Sequence, residues 1–413
     1  ALTIKRYSQC RVSFAQVEKL CLEVAAVLSR ANRGNGTDEG LLSRLKKAGE
    51  LLWEQLLSRR VRERLKAVPG RNLVLCLDEE LVRIPWELLY DGDEFFCLKF
   101  NIGRQLRARH EDSVPRYRSS SGKLKMLILA NPTADLPSAY QEGLAIKTRF
   151  DTRREHLNVD FKSTAIDTLY VKKNLRDYDI VHFAGHCEFE RENPEATGWV
   201  LSDGRFTTAD ILAMSENVVF PSLIFSNACQ SAHAAGTGDE NEYQEKNYSL
   251  ASAFLFSGVR HYIGALQRVE DPVSLIFAKQ FYACLGRSRC VGEAVRLGRM
   301  KLIHEYGKHS IFWAQYLLYG DPAFILLRSG AAVPALKTRR FDWPDASLLR
   351  RQAQRVAVAA GIIVLCWALY AGVVAVHPGS WFAVQRTRSL LSQGKNGGAV
   401  AVALQVIRKD PAY

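Results

Sequence analysis

Two reactive side chains stand where two apolar runs stop. Asp177–Phe189 (DYDIVHFAGHCEF) passes through Ala184 and Gly185 and then presents His186, while Pro221–Gln230 (PSLIFSNACQ) passes through Asn227 and Ala228 and then presents Cys229. A Cys with a distant His suits nucleophilic chemistry, because the thiolate is the attacking species and a free thiol has a pKa near ~8.5. The imidazole must take that proton and return it to a leaving amine. Taken singly, each residue has a plain structural reading, since Cys is among the most buried residue types and a lone His is usually a core hydrogen-bonder. Position argues against it here, because both residues follow a strand rather than sit inside one. His182 and His233 are rival bases. Alternation points His182 into the sheet packing, and no strand positions His233.

For His186 and Cys229 to meet, their runs must be neighbouring strands. Each run is continuously apolar, as in a parallel sheet covered on both faces, and ligands bind beyond the carboxyl ends of such strands. The flanking sequence alternates accordingly. Strands are expected at Leu124–Ala130, Val159–Lys162 and His261–Leu266, with helices at Ser138–Phe150, Thr168–Leu175, Thr208–Met214 and Leu250–Ser257. A hairpin over Gly198–Leu201 turns at Asp203-Gly204, helices follow at Val273–Leu285 and Cys290–Glu305, and Phe324–Leu327 reads as the closing strand. This order predicts right-handed crossovers and an α/β fold with a doubly covered, mainly parallel sheet.

Several ordered motifs carry a family resemblance. HFAGH at 182–186, SNACQS at 226–231, GVRHYIGALQRVEDPVSLIFAKQFY at 258–282, WAQYLLYGDPAFILL at 313–327 and LVLCLDEELVRIPWELL at 73–89 resemble the CHAT domain, a branch of the caspase and separase-like cysteine proteases. The resemblance implies a caspase-like three-layer α/β/α sandwich over residues 124–329, with Cys229 as nucleophile and His186 as base of a peptide-bond hydrolase. It also implies an oxyanion hole from the backbone N–H groups of Cys187 and Cys229. The family usually has Gly after the catalytic His, so Cys187 adds a Cβ, and the reading requires residue 187 to keep φ below zero. The stretch after the 261–266 strand helps build the substrate pocket in caspase-like folds. Gln267, Glu270 and Asp271 are the candidates there; the acidic pair would favour Arg or Lys, Arg268 the opposite, and Asp271 before Pro272 also reads as a helix N-cap. Residues 1–106 are implied to form an N-terminal α/β portion without chemistry of its own, joined by a polar linker at 107–123. A non-catalytic scaffold that keeps this fold for signalling is the alternative, because fold alone does not establish chemistry. A membrane sensor whose tail receives the signal and whose acidic loop gates the site is a third reading.

Within residues 1–106, apolar residues recur at helical spacing over 13–30 and 40–66, and strands are expected at Leu73–Leu77 and Leu81–Ile84. Ala232–Tyr248, with Asp239, Glu240, Glu242 and Glu245, reads equally as a lid beside the site or as an unstructured acidic insert.

Nine cysteines, an odd number without Cys-x-x-Cys pairs, argue for reduced thiols and against a disulfide framework or a metal site, and no cofactor is implied. The net charge of +13 favours acidic partners or an anionic membrane face, and no nucleic-acid motif is present. Val356–Val376 holds no charge, and at ~1.5 Å per residue it reaches across the ~30 Å hydrocarbon core. The segment 330–355 before it is richer in Lys and Arg than the segment after it, so the expectation is a single-pass protein of the cell membrane with its catalytic portion cytoplasmic. In the tail, 377–413, Gly394, Ala399, Val406 and Pro411 fall at the offsets of half a tetratricopeptide repeat, a possible site for a protein partner. No signal peptide pattern opens the sequence. Residue 1 is Ala rather than Met, the expectation for a processed or trimmed start.

Overall fold

The computed structural model describes residues 8–33, 36–70, 72–78, 80–106, 123–151, 157–188, 190, 193–215, 219–228, 250–266, 269, 271–327, 386 and 389. Two compact units divide the chain, Ala1–Ala331 and Ala332–Tyr413, and the fold below is that of the first. Its strands are β1 (Asn72–Leu77), β2 (Asn101–Leu106), β3 (Leu124–Ala130), β4 (Leu157–Lys162), β5 (Ile180–Gly185), β6 (Cys187–Glu188), β7 (Gly198–Val200), β8 (Arg205–Thr207), β9 (Leu223–Ala228), β10 (His261–Ala265) and β11 (Tyr316–Tyr319). The helices are α1 (Phe14–Arg33), α2 (Glu39–Leu56), α3 (Arg59–Ala67), α4 (Phe96–Lys99), α5 (Pro137–Asp151), α6 (Thr168–Asn174), α7 (Thr208–Met214), α8 (250–256), α9 (Asp271–Leu285) and α10 (Val291–Tyr306).

Eight strands form one sheet in the order β1-β2-β11-β10-β9-β5-β3-β4, and a small sheet holds β6-β7-β8. Only the β10–β11 pair in the large sheet is antiparallel, so the sheet is mainly parallel, as expected. Every residue of β5 and β10 is buried, as is all but the last of β9. Full burial of a Val, Leu or Ile side chain contributes ~1.5–3 kcal/mol. Paired residues of a parallel ladder share a face, which separates the two coverings. On one face His182 and Phe225 meet Tyr282 of α9, at ring-centroid distances of 5.6 and 5.9 Å. On the other, Phe183 stacks on Trp199 at 4.3 Å, and Trp199 in turn meets Phe254 of α8 at 5.2 Å.

The N-terminal residues continue the same sheet through β1 and β2, and a buried ion pair ties them in. Arg104 on β2 donates to both oxygens of Glu87 and to the carbonyls of Val82 and Ile84; both charged side chains are 1% exposed. Those contacts explain one departure from expectation. Residues 81–84 were expected to form a strand, but two of their carbonyls face the guanidinium and the segment is a turn leading into a 3-10 helix at Trp86–Leu88. A second departure is at 40–66, which is two helices because Leu57 is extended (φ −120°, ψ 129°). The third is the closing strand. It is Tyr316–Tyr319, because Gly320 at φ 121° turns the chain and Phe324 stacks on His261 instead of pairing in the sheet. A Cβ at position 320 would also lie 2.4 Å from the Arg260 carbonyl oxygen.

No described helix is long and apolar enough to cross a membrane. The linker at 107–122, the segments 330–355 and 356–376, and the tail apart from Arg386 and Ser389 lie outside the described residues.

His261, at the start of β10, is 2% exposed; its Nε2 faces the Asp321 carbonyl at 3.1 Å and its Nδ1 has no hydrogen-bond partner. A carbonyl only accepts, so Nε2 carries the hydrogen, and burial pushes the ring's pKa down from 6.5 to about 4. Below pH 6.5 the unfolded chain takes up a proton that the folded chain refuses until about pH 4, so stability present at neutral pH is lost across that window. The expected outcome is an unfolding free energy that falls between pH 7 and pH 4.5, with roughly 2 kcal/mol of the fall due to this ring. Urea titrations of wild type and His261→Gln check it: the variant should show the smaller pH dependence.

Candidate active site

β5 and β9 lie side by side in parallel register, with Ala184 opposite Asn227 and Gly185 opposite Ala228. His186 and Cys229 are the next residues of the two chains. Cys229, Gln267 and Glu270 lie outside the described residues, and of Asp271 the backbone is described, as the first residue of α9. His186 is 8% exposed. Its carbonyl accepts from the Val200 N–H of β7 at 3.0 Å, so the residue leaves the large sheet already anchored to the small one.

The imidazole is held by a carboxylate from the stretch between β3 and α5. His186 Nε2 lies 3.1 and 3.0 Å from the two oxygens of Asp135. A carboxylate can only accept, so Nε2 carries the hydrogen, and Nδ1 bears the lone pair of the neutral ring. Nδ1 is therefore the nitrogen suited to take a proton. The turn that aims Asp135 is built from its own backbone. Asn131 N–H donates to the Ala184 carbonyl at 2.8 Å, extending the β3–β5 pairing by one bond, and the Asn131 side chain accepts from Leu136 N–H at 2.8 Å. Asn131 and Ala134 both take positive φ, 57° and 62°. Asn adopts that region readily, whereas for Ala it costs ~1–2 kcal/mol, strain retained directly beside Asp135. Gly185 lets the turn come close, since a Cβ there would sit 3.0 Å from Pro132 Cδ.

Asp135 is ionised more readily than an ordinary carboxylate. The Thr133 hydroxyl that donates to it lowers its pKa most, and the hydrogen bond and charge of His186 add to that. Cys187 is buried in β6, opposite Trp199, and is not among the described non-glycine residues with positive φ. The added Cβ thus carries no left-handed strain. His182 is fully buried inside β5 and bonded to Glu142 and Tyr282, a core position, as alternation predicts. A cavity of about 540 Å³ elsewhere, lined by Cys10, Arg11, Ser13, Gln16, Arg59 and Arg62 among others, includes none of these residues.

Sequence analysis missed Asp135 because nothing in linear spacing links positions 135 and 186. The available signal was topological: Asp135 follows β3, and β3 is the other neighbour of β5, so its carboxyl end opens on the same crevice.

Residues 46–321 match the family model for the CHAT domain. No curated protein matches the chain. Among solved structures, it is similar to separase of Saccharomyces cerevisiae in its complex with securin, at 16% identity and a TM-score of 0.40, over 61% of this chain and 16% of that one. It is also similar to gingipain R, an Arg-specific cysteine proteinase, at 13% identity and a TM-score of 0.45, over 69% of this chain and 68% of that one. A secreted C11 cysteine protease of Bacteroides thetaiotaomicron is similar at 12% identity and a TM-score of 0.28, over 42% of this chain and 56% of that one.

Replacing Asp135 by Asn keeps the shape but offers His186 a group that can turn its amide either way. The wild-type ring at neutral pH should show its hydrogen on Nε2, and Asp135→Asn should raise the Nδ1–H population, read from imidazole 15N shifts. An unchanged tautomer balance would show that the pair does not set the ring. Since the Asp135 side chain is 56% exposed, the variant should lose less than about 1 kcal/mol of stability.

Proposed function

The chain belongs to the CHAT domain family, and from that premise we propose that it is a cysteine endopeptidase with Cys229 as nucleophile and His186 as base. The observation that carries the reading is the register of β5 and β9. Two adjacent parallel strands end level, and the residue following one is a His whose outer nitrogen is already bonded to a carboxylate.

The chemistry follows from those assignments. His186 Nδ1 takes the thiol proton of Cys229, and the thiolate sulfur bonds to the carbonyl carbon of the scissile peptide. Charge collects on the carbonyl oxygen, where the backbone N–H groups of Cys187 and Cys229 are proposed to donate. The carbon–nitrogen bond then breaks, the amine leaves with the proton from Nδ1, and a thioester remains. Water gives a proton to Nδ1 and its oxygen to the acyl carbon, and the sulfur departs, recovering the proton. Asp135, by holding the hydrogen on Nε2, keeps Nδ1 available in each half of the cycle. The substrate is proposed to be a protein chain, with Gln267, Glu270 and Asp271 at its pocket. The uncharged stretch 356–376 supports a tether to the cell membrane, and the more basic segment 330–355 before it supports a catalytic portion on the cytoplasmic side.

Cys229→Ala should abolish cleavage of an unbiased peptide library, and His186→Ala should lower turnover by about 10²–10⁴-fold, the usual span for loss of a general base. A peptidic thiol-reactive probe separates this reading from a scaffold. Labelling of Cys229 that does not depend on His186 would favour the scaffold. For the tether, the full chain should sediment with membranes after alkaline extraction and a chain lacking 356–376 should not; equal partition would remove the membrane assignment.

A further inference from the structure

Behind the strand ends lies a buried polar cluster that the reaction just described does not use. Its hub is Glu142 of α5, which is 2% exposed. One carboxylate oxygen lies 2.8 Å from His182 Nε2 and 2.8 Å from Asn227 Nδ2; the other lies 2.9 Å from the same Asn227 nitrogen and 2.7 Å from Ser274 Oγ. His182 is completely buried, and Asn227 and Ser274 are each 5% exposed. The far nitrogen of His182, Nδ1, meets the Tyr282 hydroxyl at 3.1 Å. Burial, with the Glu142 charge added, holds that phenol's pKa well above its ordinary value, so it remains a donor.

An ionised carboxyl has about four lone-pair positions, and here they are met by donors from three separate elements. Each element continues into one part of the site. His182 on β5 leads to His186, Asn227 on β9 leads to Cys229, and Ser274 lies in the first turn of α9, directly after the 267–270 stretch. The hub's own helix begins two residues after Asp135. Gly143 allows the approach, because a Cβ there would lie 2.8 Å from Ala130 Cβ and 2.6 Å from the Phe161 ring.

We propose that Glu142 is a positioning residue for the Cys229–His186 pair, its carboxylate fixing α5, β5, β9 and α9 to one another so that the parts of the site arrive in register. The inference rests on the peptidase reading. A ladder fixes β5 against β9, but among the described residues no backbone bond fixes α5 or α9 along the strand axis; side-chain bonds to a buried charge do, since leaving that charge short of donors is heavily penalised. A neutral apolar side chain at 142 would bury more favourably yet let the helices slide.

The experiment measures the rate at which iodoacetamide alkylates Cys229 in the full-length protein. The site of modification is read by peptide mass spectrometry, well below the melting temperature of each variant. In wild type the rate should fall at least tenfold with His186→Ala; if it does not, the peptidase reading itself fails, whatever Glu142 does. Given that dependence, Glu142→Gln should slow alkylation at least tenfold, because its amide N–H₂ meets the Asn227 donor. Adding Asn227→Asp restores an acceptor opposite that amide and keeps one carboxylate in the cluster, so the double variant should return to within threefold of wild type. A wild-type rate in Glu142→Gln overturns the proposal, and so does a double variant no faster than the single one. Should Glu142→Gln not fold, Ser274→Ala removes one donor without stranding a new one and should slow alkylation two- to fivefold; no change there overturns the proposal equally.

Discussion

A parallel ladder leaves its strands almost no freedom to slip, and the site depends on the ladder between β5 and β9. Moving one strand by a single residue would exchange its two faces, putting Phe183 where His182 lies and stranding a buried imidazole among the rings of the opposite layer. Because both faces are covered, that error is expensive on either side. Hydrophobic burial along the strands therefore sets the level at which they end, and the strand ends set where His186 is presented.

Charge is used in this molecule at joints where the backbone supplies no bond. Glu142 joins two helices to two strands. Arg104 and Glu87 join β2 to the turn before α4, with two carbonyls satisfied by the same guanidinium. Arg299 of α10 donates to the Cys97 carbonyl at 3.3 Å and the Tyr316 carbonyl at 2.6 Å, linking a helix, α4 and β11. Each group is nearly fully buried, so each is costly without its partners and hard to relocate once they are in place. Apolar packing alone tolerates sliding by small steps. Such hydrogen-bonded charges do not.

Around His186 the same logic works at smaller scale. The residue is held at its carbonyl by β7 and at its ring by Asp135, while Asp135 sits on a turn that accepts left-handed backbone at Ala134 to point the right way. A half-exposed carboxylate contributes little to folding, so its value lies in which ring nitrogen it occupies. The Cys187 in place of the usual glycine fits without left-handed strain because residue 187 pairs as a short strand.

Local pattern alone determined the continuous apolar strands, their alternation with helices, the strand-end position of His186 and the buried role of His182, since each depends on periods of two or 3.6 residues and on where a run stops. Tertiary structure decided the rest. Glu142 reads in sequence as one more charged residue on a surface helix, and only the fold shows three donors converging on it. Asp135 reads as a turn former until β3 is found beside β5. Residues 81–84 have strand composition, yet their carbonyls are claimed by an arginine further along the chain; and Phe324–Leu327, equally apolar, yields its place to Tyr316–Tyr319 because Gly320 turns the chain between them. In each case the deciding partner is distant in sequence, and a local period holds no information about which distant group will arrive to satisfy a buried charge or a carbonyl.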